Sequence, residues 1–350
     1  MTNNEHRIIV VGAGYAGLTA ALRLAPGNAV TLIAPGRVFT ERVRLHELAA
    51  GSRASAAHPL ARFLAGTGVR HVAARAVALD PEAREVTTDT GETFGYDRLV
   101  YAAGSRTAAP DDPRVRTVEQ ASDVRTRPGT VAVVGGGLTG VELAAELAET
   151  RPGVTLITEG ELAPDLSSQA RAYLRAALTR LGVAVTEGRR VAPADVDADT
   201  LVWAAAMTPN TEPAVAAGLA ADANGRLRVD AALRSVSHPD VVVAGDAAAG
   251  LRMACATAIP TGSRAASTVR AELRGDAPDP LRFRYYAKCV SLGRSDGLLQ
   301  FLDADDAPRD RVWTGRRAAW TKEQIVLSTT RMIRLARRAP RLSGRLPGLG

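Results

Sequence analysis

Arg7-Ile8-Ile9-Val10-Val11-Gly12-Ala13-Gly14-Tyr15-Ala16-Gly17 is a short β-branched run that ends in three glycines spaced G-x-G-x-x-G. An Ala/Leu-rich stretch follows to about Leu24, and Val30–Ile33 reads as a second strand. The pattern returns once: Val131–Val134 leads into Gly135-Gly136-Gly137-Leu138-Thr139-Gly140, a helix to about Glu149, and a strand at Val154–Ile157. Each block is a strand–turn–helix–strand unit, the sequence form of a parallel βαβ. In a dinucleotide site the first glycine permits the tight turn, the second lets the backbone approach a pyrophosphate, and the third packs helix on strand. One such loop is weak evidence. Two, each between a strand and a helix, predict two dinucleotide sites with phosphates at helix N-termini.

The position that reads the adenosine ribose divides the two copies. After the second, Thr158-Glu159 puts a carboxylate at the strand end, where it accepts ribose hydrogen bonds and repels a 2′-phosphate. NADH is therefore expected over NADPH, and a solvated surface glutamate is the alternative. After the first copy the same position is Ala34, within Ile33-Ala34-Pro35, so backbone and Arg37 are left to hold that ribose.

Bulk properties narrow the classes further. The net charge is +7, yet from Arg316 onward nine basic residues (Arg316, Arg317, Lys322, Arg331, Arg334, Arg337, Arg338, Arg341, Arg345) face one acid, Glu323. That +8 leaves the first 315 residues at −1, which argues against nucleic acid as a partner. Lys288 and Lys322 are the only lysines, a bias read as base composition. Cys255 and Cys289 form no C-x-x-C pair, so neither a disulfide framework nor a metal site is expected. No run of eighteen apolar residues occurs, and the first strand begins too early for a signal peptide; a cytoplasmic protein is expected.

Between the units, Arg75–Tyr96 reads as small antiparallel strands and Tyr101–Thr130, rich in Pro, Asp and Arg, as a linker. A second crossing is expected near Ser237–Asp240. Short strands with Tyr285, Tyr286, Phe301 and Trp313 follow Leu281, then a helix over Ala318–Ala339. That helix reads as amphipathic, with Ile325, Met332 and Ala336 on one face and Arg331, Arg334 and Arg338 on another. Docking on the body or a second subunit is the expected use; peripheral attachment to an anionic membrane is the alternative.

Taken with Tyr96–Ser105, Leu201–Ala206 and Val241–Asp246, the two loops resemble the FAD-dependent pyridine-nucleotide oxidoreductases. The branch that fits is the type II NADH dehydrogenase and apoptosis-inducing-factor-like one, over about residues 6–315. The resemblance implies an α/β fold of two Rossmann-like domains, the NADH domain inserted in the FAD domain in the glutathione-reductase manner. Its parts would be an FAD domain over 1–115 and 235–280, an NAD(H) domain over 125–234, and a C-terminal segment over 281–350. FAD would be held by Gly12, Gly14, Gly17, Ala103, Gly104, Gly245 and Asp246, and NADH by Gly135, Gly137, Gly140 and Glu159.

The implied chemistry is hydride transfer from NADH to FAD and onward to a small organic acceptor. Glu142 matches a glutamate beside the stacked rings; the alternative is a first-turn dipole partner. Arg42 would stabilise reduced flavin, or else pair with Glu41; His46 is a candidate proton donor. Thr261 and Ala256, in Cys255–Gly262, stand where type II NADH dehydrogenases carry quinone-contacting glutamines, and Ala206 stands where the family has glycine. The missing glutamines weaken quinone reduction, kept as a second reading. A non-redox scaffold or cyclase is the third. No redox cysteine pair follows the first loop, so no dithiol relay is expected.

Overall fold

The computed structural model describes residues 6–340; Arg341 and Arg345 lie outside them. The first unit runs β1 (His6–Val11), α1 (Tyr15–Leu24), β2 (Asn28–Ile33), β3 (Val38–Thr40), α2 (Leu45–Ala50), β4 (Ala57–Pro59), α3 (Ala61–Leu64) and β5 (Arg70–Val72). A three-stranded antiparallel meander follows, β6 (Ala76–Asp80), β7 (Glu85–Thr88) and β8 (Thr93–Gly95), then β9 (Arg98–Tyr101). The chain next builds β10 (Ser105–Thr107), β11 (Val115–Thr117), α4 (Ala121–Thr126), β12 (Val131–Val134), α5 (Leu138–Ala148), β13 (Thr155–Ile157), α6 (Ser168–Arg180) and β14 (Ala184–Thr186). It continues through β15 (Thr200–Trp203), β16 (Met207–Pro209) and α7 (Glu212–Ala216). It then returns by β17 (Val241–Val243) and α8 (Cys255–Leu273). Three strands, β18 (Ala287–Ser291), β19 (Gly297–Leu302) and β20 (Pro308–Thr314), and helix α9 (Gly315–Arg338) complete the order.

Two five-stranded parallel sheets result. The first is ordered β17-β9-β1-β2-β5 and the second β11-β15-β12-β13-β14. Because β17 returns to pair with β9, the second sheet is an insertion in the first. Side chains alternate across β1: Ile8 and Val10 join the core with α1, α8 and α9, while Ile9 and Val11 face the meander side. β12 does the same, with Val131 and Val133 on one side and Ala132 on the other.

Two expectations need correction. Tyr101–Thr130 is not merely a linker: Val115–Thr117 is the edge strand of the second sheet, paired with β15, and Ala121–Thr126 is helical. Three residues are too few to show a period. The covered face of α9 also departs from the expected one, at a single residue: Ala336 is buried and Met332 packs against the core, but Ile325 does not. Ala318, Lys322, Val326, Thr329, Ile333 and Ala336 are buried, whereas Ile325 is exposed. That face docks on the body, with Ile333 and Ala336 in the same core as α1.

Candidate active site at the junction of the two sheets

Both glycine loops sit at the C-terminal ends of their first strands, and their glycines separate into two kinds. A Cβ on Gly12 would lie 2.2 Å from the Ala102 carbonyl oxygen, and one on Gly17 1.9 Å from that of Gly12. In the second loop a Cβ on Gly135 would lie 2.8 Å from Ala204 backbone, and one on Gly140 1.9 Å from the Gly135 carbonyl oxygen. Packing alone demands these four. The middle glycines, Gly14 and Gly137, have no atom within 4 Å of a built Cβ. Each is the N-cap of its helix, with no side chain capping it. Open space and uncapped first-turn N–H groups at both places suit a diphosphate.

Opposite the first loop, β9 ends in Ala103-Gly104, with Gly104 left-handed at φ 69° and open space at its Cβ position. The turn after β17 supplies Gly245 and Asp246. Asp246 Oδ2 accepts from Ser105 Oγ at 2.7 Å. Arg226 Nε donates to the Asp246 carbonyl at 3.0 Å, and its guanidinium also bonds the carbonyls of Ala248 and Leu251. Thr261, expected at a reacting position, is buried, and its hydroxyl is committed. It accepts from Gly245 N at 2.9 Å and faces the Thr257 carbonyl at 2.8 Å. Its observed part is to hold the Gly245–Asp246 turn. Arg42 donates to the Ser105 carbonyl at 2.7 Å and pairs with Glu119 at 2.7 Å. Its carboxylate partner is therefore Glu119; Glu41 is buried and lies 3.0 Å from His58.

At the ribose positions, Ala34 is drawn into the sheet edge, its N–H on Val72 and its carbonyl 3.2 Å from His71 Nε2. Arg37 is exposed beyond β2. Glu159 projects into solvent at the end of β13. Ala206 stands where Gly104 stands in the first unit and holds the same left-handed turn, φ 55°, with a Cβ. The two turns are joined, since β10 pairs antiparallel with β16 and Asn210 donates to the carbonyls of Ala103 and Gly104.

Glu142 lies beyond the first turn of α5, so the dipole reading falls. Its Oε1 accepts from Ser291 N at 3.0 Å and contacts Lys322 Nζ of α9. Burial pushes the Lys322 ammonium down to about 7. The next residue, Glu323, forms two bonds of 2.7 Å with Arg44, which itself pairs with Glu47. Consecutive residues of one helix thus grip both units. His46 beside them is buried with Nε2 unpartnered; burial, then Lys322, Arg294, Arg44 and Arg53, holds its pKa well below the ordinary value. It stays neutral and is no proton donor at neutral pH. Burial likewise raises the Cys255 thiol to about 11 and that of Cys289 to about 12, so neither is a thiolate.

Arg226, Ser291 and Lys322 carry no motif and escaped sequence reasoning; Ser105 closes the Tyr96–Ser105 motif, but nothing local gives its bond to Asp246. One signal existed: in a chain that uses arginine almost everywhere, both lysines, Lys288 and Lys322, are buried.

Comparison with known proteins agrees with this architecture. The profile of the pyridine nucleotide-disulphide oxidoreductase family matches residues 6–262. An NADH dehydrogenase-like protein of Mycobacterium tuberculosis is 31% identical, covering 97% of this chain and 99% of that protein. The type II NADH:quinone oxidoreductase of the same organism is 26% identical over 81% of this chain and 76% of its own. Among solved structures, the sulfide:quinone oxidoreductase of Aquifex aeolicus superposes with a TM-score of 0.78 over 96% of this chain and 93% of its own. At 19% identity that likeness speaks for the fold alone.

Proposed function

The chain belongs to the pyridine nucleotide-disulphide oxidoreductase family, in its NADH dehydrogenase-like branch, and from that premise we propose the following division of labour among its residues. It is a flavin-dependent oxidoreductase that takes hydride from NADH onto FAD and passes the electrons to an acceptor, here read as a small organic molecule. The observation that carries the reading is the matched pair of open glycines, Gly14 and Gly137, each at an uncapped helix start beside glycines that packing demands.

When bound, FAD supplies the hydride-accepting ring and NADH the donor. The first loop would hold the FAD diphosphate, and Asp246, oriented by Ser105 and Arg226, would accept from its ribityl hydroxyls. Arg42 secures Ser105 and so acts on Asp246 from behind. The second loop and Glu159 would hold NADH. Glu142, aligned by Ser291 N–H, keeps a carboxylate against Lys322, whose burial lets Nζ hold or release a proton near neutral pH. Neither cysteine supports a dithiol relay, so electrons leave by direct contact.

The visible spectrum of the purified protein tests this reading. Flavin bands that bleach on adding NADH without oxygen are expected; bands that stay unchanged would sink it. A second reading, a quinone acceptor at a membrane surface, is favoured by the outer face of α9. There Arg316, Arg317, Trp320, Ile325, Arg331 and Arg334 are all exposed. No helix among the described residues is long and apolar enough to cross a membrane. Flotation with anionic but not neutral vesicles, together with flavin reoxidation by a soluble quinone, would favour that second reading.

A further inference from the structure

Tyr15 stands inside the first glycine loop, yet its side chain points into the core, edge-on to Phe39 with ring centroids 4.9 Å apart. Its hydroxyl is buried and meets no hydrogen-bond partner among the described residues. The polar groups that face it are the Glu41 carboxylate, the Cys255 thiol, the Thr329 hydroxyl and the backbone of Val43. A buried hydroxyl left unpaired is costly and calls for a reason. Phe39 lies opposite His58 in the β3–β4 pair, with ring centroids 6.2 Å apart. Glu41, two residues after Phe39, reaches the same imidazole, Oε2 lying 3.0 Å from His58 Nε2. Arg42 next to it is turned to Glu119 and the Ser105 carbonyl. Glu41 is buried, whereas the His58 side chain is a quarter exposed. Three side chains that exchange protons thus run round the Phe39 ring, from the surface to the core.

The inner end of this line lies between elements that would hold FAD. Tyr15 follows the open Gly14 at the start of α1, and Cys255 opens α8, whose Thr261 holds the Gly245–Asp246 turn. The reaction needs a proton there. NADH gives up a hydride, and a two-electron organic acceptor takes that hydride together with one proton drawn from water. We propose that His58, Glu41 and Tyr15 carry this proton from solvent to the acceptor, while the Glu142–Lys322 contact serves the NADH side. The line rests on the flavin reading of the first loop. The Tyr15 O–H bond breaks as its proton passes to the acceptor, and Glu41 replaces it with the proton shared with His58, which solvent restores. Burial raises the Tyr15 phenol above its ordinary value, so phenol and carboxylate move their protons together and no phenolate is left behind.

Reoxidation of the flavin, followed by stopped flow with two probes, tests the line. The flavin of the purified holoprotein is reduced without oxygen by one equivalent of dithionite. It is then mixed with dichlorophenolindophenol, which takes up protons with its electrons, or with ferricyanide, which takes electrons alone. Tyr15→Phe, which removes only the unpartnered hydroxyl, and Glu41→Gln should slow the indophenol reaction at least about tenfold and leave the ferricyanide reaction within about twofold of the original. His58→Ala alters only the exposed end and decides the matter where an inner variant loses its flavin: it should slow the indophenol reaction, and imidazole in the buffer should restore the rate. Equal slowing with both probes, slowing with neither, or a His58→Ala protein that imidazole leaves slow overturns the line. Flavin that NADH fails to bleach breaks the function reading alone, because dithionite does the reducing here. A protein without flavin overturns both.

Discussion

The two strand–loop–helix units use the same mechanics for different recognition. Their first and third glycines all meet backbone too closely for a Cβ, and the third ones, Gly17 and Gly140, do so at the same 1.9 Å. Their recognition positions have parted: Ala34 against Glu159 at the ribose, Gly104 against Ala206 at the facing turn, and Thr19 against Glu142 two residues after the third glycine. Thr19 turns inward and donates to the Tyr15 carbonyl at 2.7 Å, while Glu142 reaches across to Lys322. Residues imposed by backbone contact stay fixed between the copies, and residues imposed by a ligand or a neighbouring element are free to differ.

The most forceful way to break the comparison is to treat the glycines as equals. Gly17→Ala or Gly140→Ala places a methyl against a backbone carbonyl that cannot withdraw. Each should cost roughly 3 kcal/mol in urea unfolding. Gly14→Ala and Gly137→Ala should cost less than about 1 kcal/mol, since neither needs a positive φ nor meets a neighbour. Their effect falls on binding instead: Gly14→Ala should purify without flavin, and Gly137→Ala with flavin but weakened for NADH. Loss of flavin from Gly137→Ala would show that the loops do not serve separate ligands.

The difference between Thr19 and Glu142 comes next. Glu142→Gln should slow flavin reduction by NADH about a hundredfold in stopped-flow measurements, whereas Thr19→Ala should alter stability alone. Because burial brings Lys322 near 7, its protonated form is lost as pH rises through that value. The rate should therefore fall above pH 7, and Lys322→Met should flatten the profile. A rate for Glu142→Gln within twofold of the original would make the Glu142–Lys322 contact purely structural.

Smaller is the effect of restoring symmetry at the turns. Ala206→Gly relieves a left-handed alanine and should raise stability by about 1 kcal/mol, and Gly104→Ala should lower it by a similar amount. Thermal midpoints of the pair decide whether the turns are equivalent. The least lever acts where the units meet. His46 is neutral when folded and protonates below pH 6.5 when unfolded, so its contribution is full above that pH and is lost as pH falls through it. His46→Gln should trim the stability lost between pH 7 and pH 5.5 by about 1 kcal/mol. An unchanged slope would assign that loss to the surrounding carboxylates.

What could be read from the sequence divides along the same line. Gly12, Gly17, Gly135 and Gly140 announce themselves because no other residue fits, and β1, β2 and β12 follow from β-branched runs beside them. Val115–Thr117 stayed hidden: three residues among Pro, Asp and Arg show no period, and only pairing with β15 makes them a strand. Ile325 shares a helical face with Met332 and Ala336 by spacing, yet it is exposed, because the elements that α9 packs against decide which residues are covered. Ser291 and Lys322 reach Glu142 from segments 149 and 180 residues away, a proximity that local patterns do not encode. Thr261 was noticed for its place in a motif, yet its hydroxyl serves the backbone of Gly245.

The grip of α9 on both units also has a consequence for how the protein is made. Chains emerge from the ribosome N-terminus first, and segments fold as they appear. By residue 314 the nascent chain has every strand of both parallel sheets and both glycine loops, but neither Lys322 nor Glu323. Nucleotides can be gathered during translation, while the clasp across Glu142 and Arg44 closes only as α9 is added. Electron flow would thus wait on the docking of α9 across the two units.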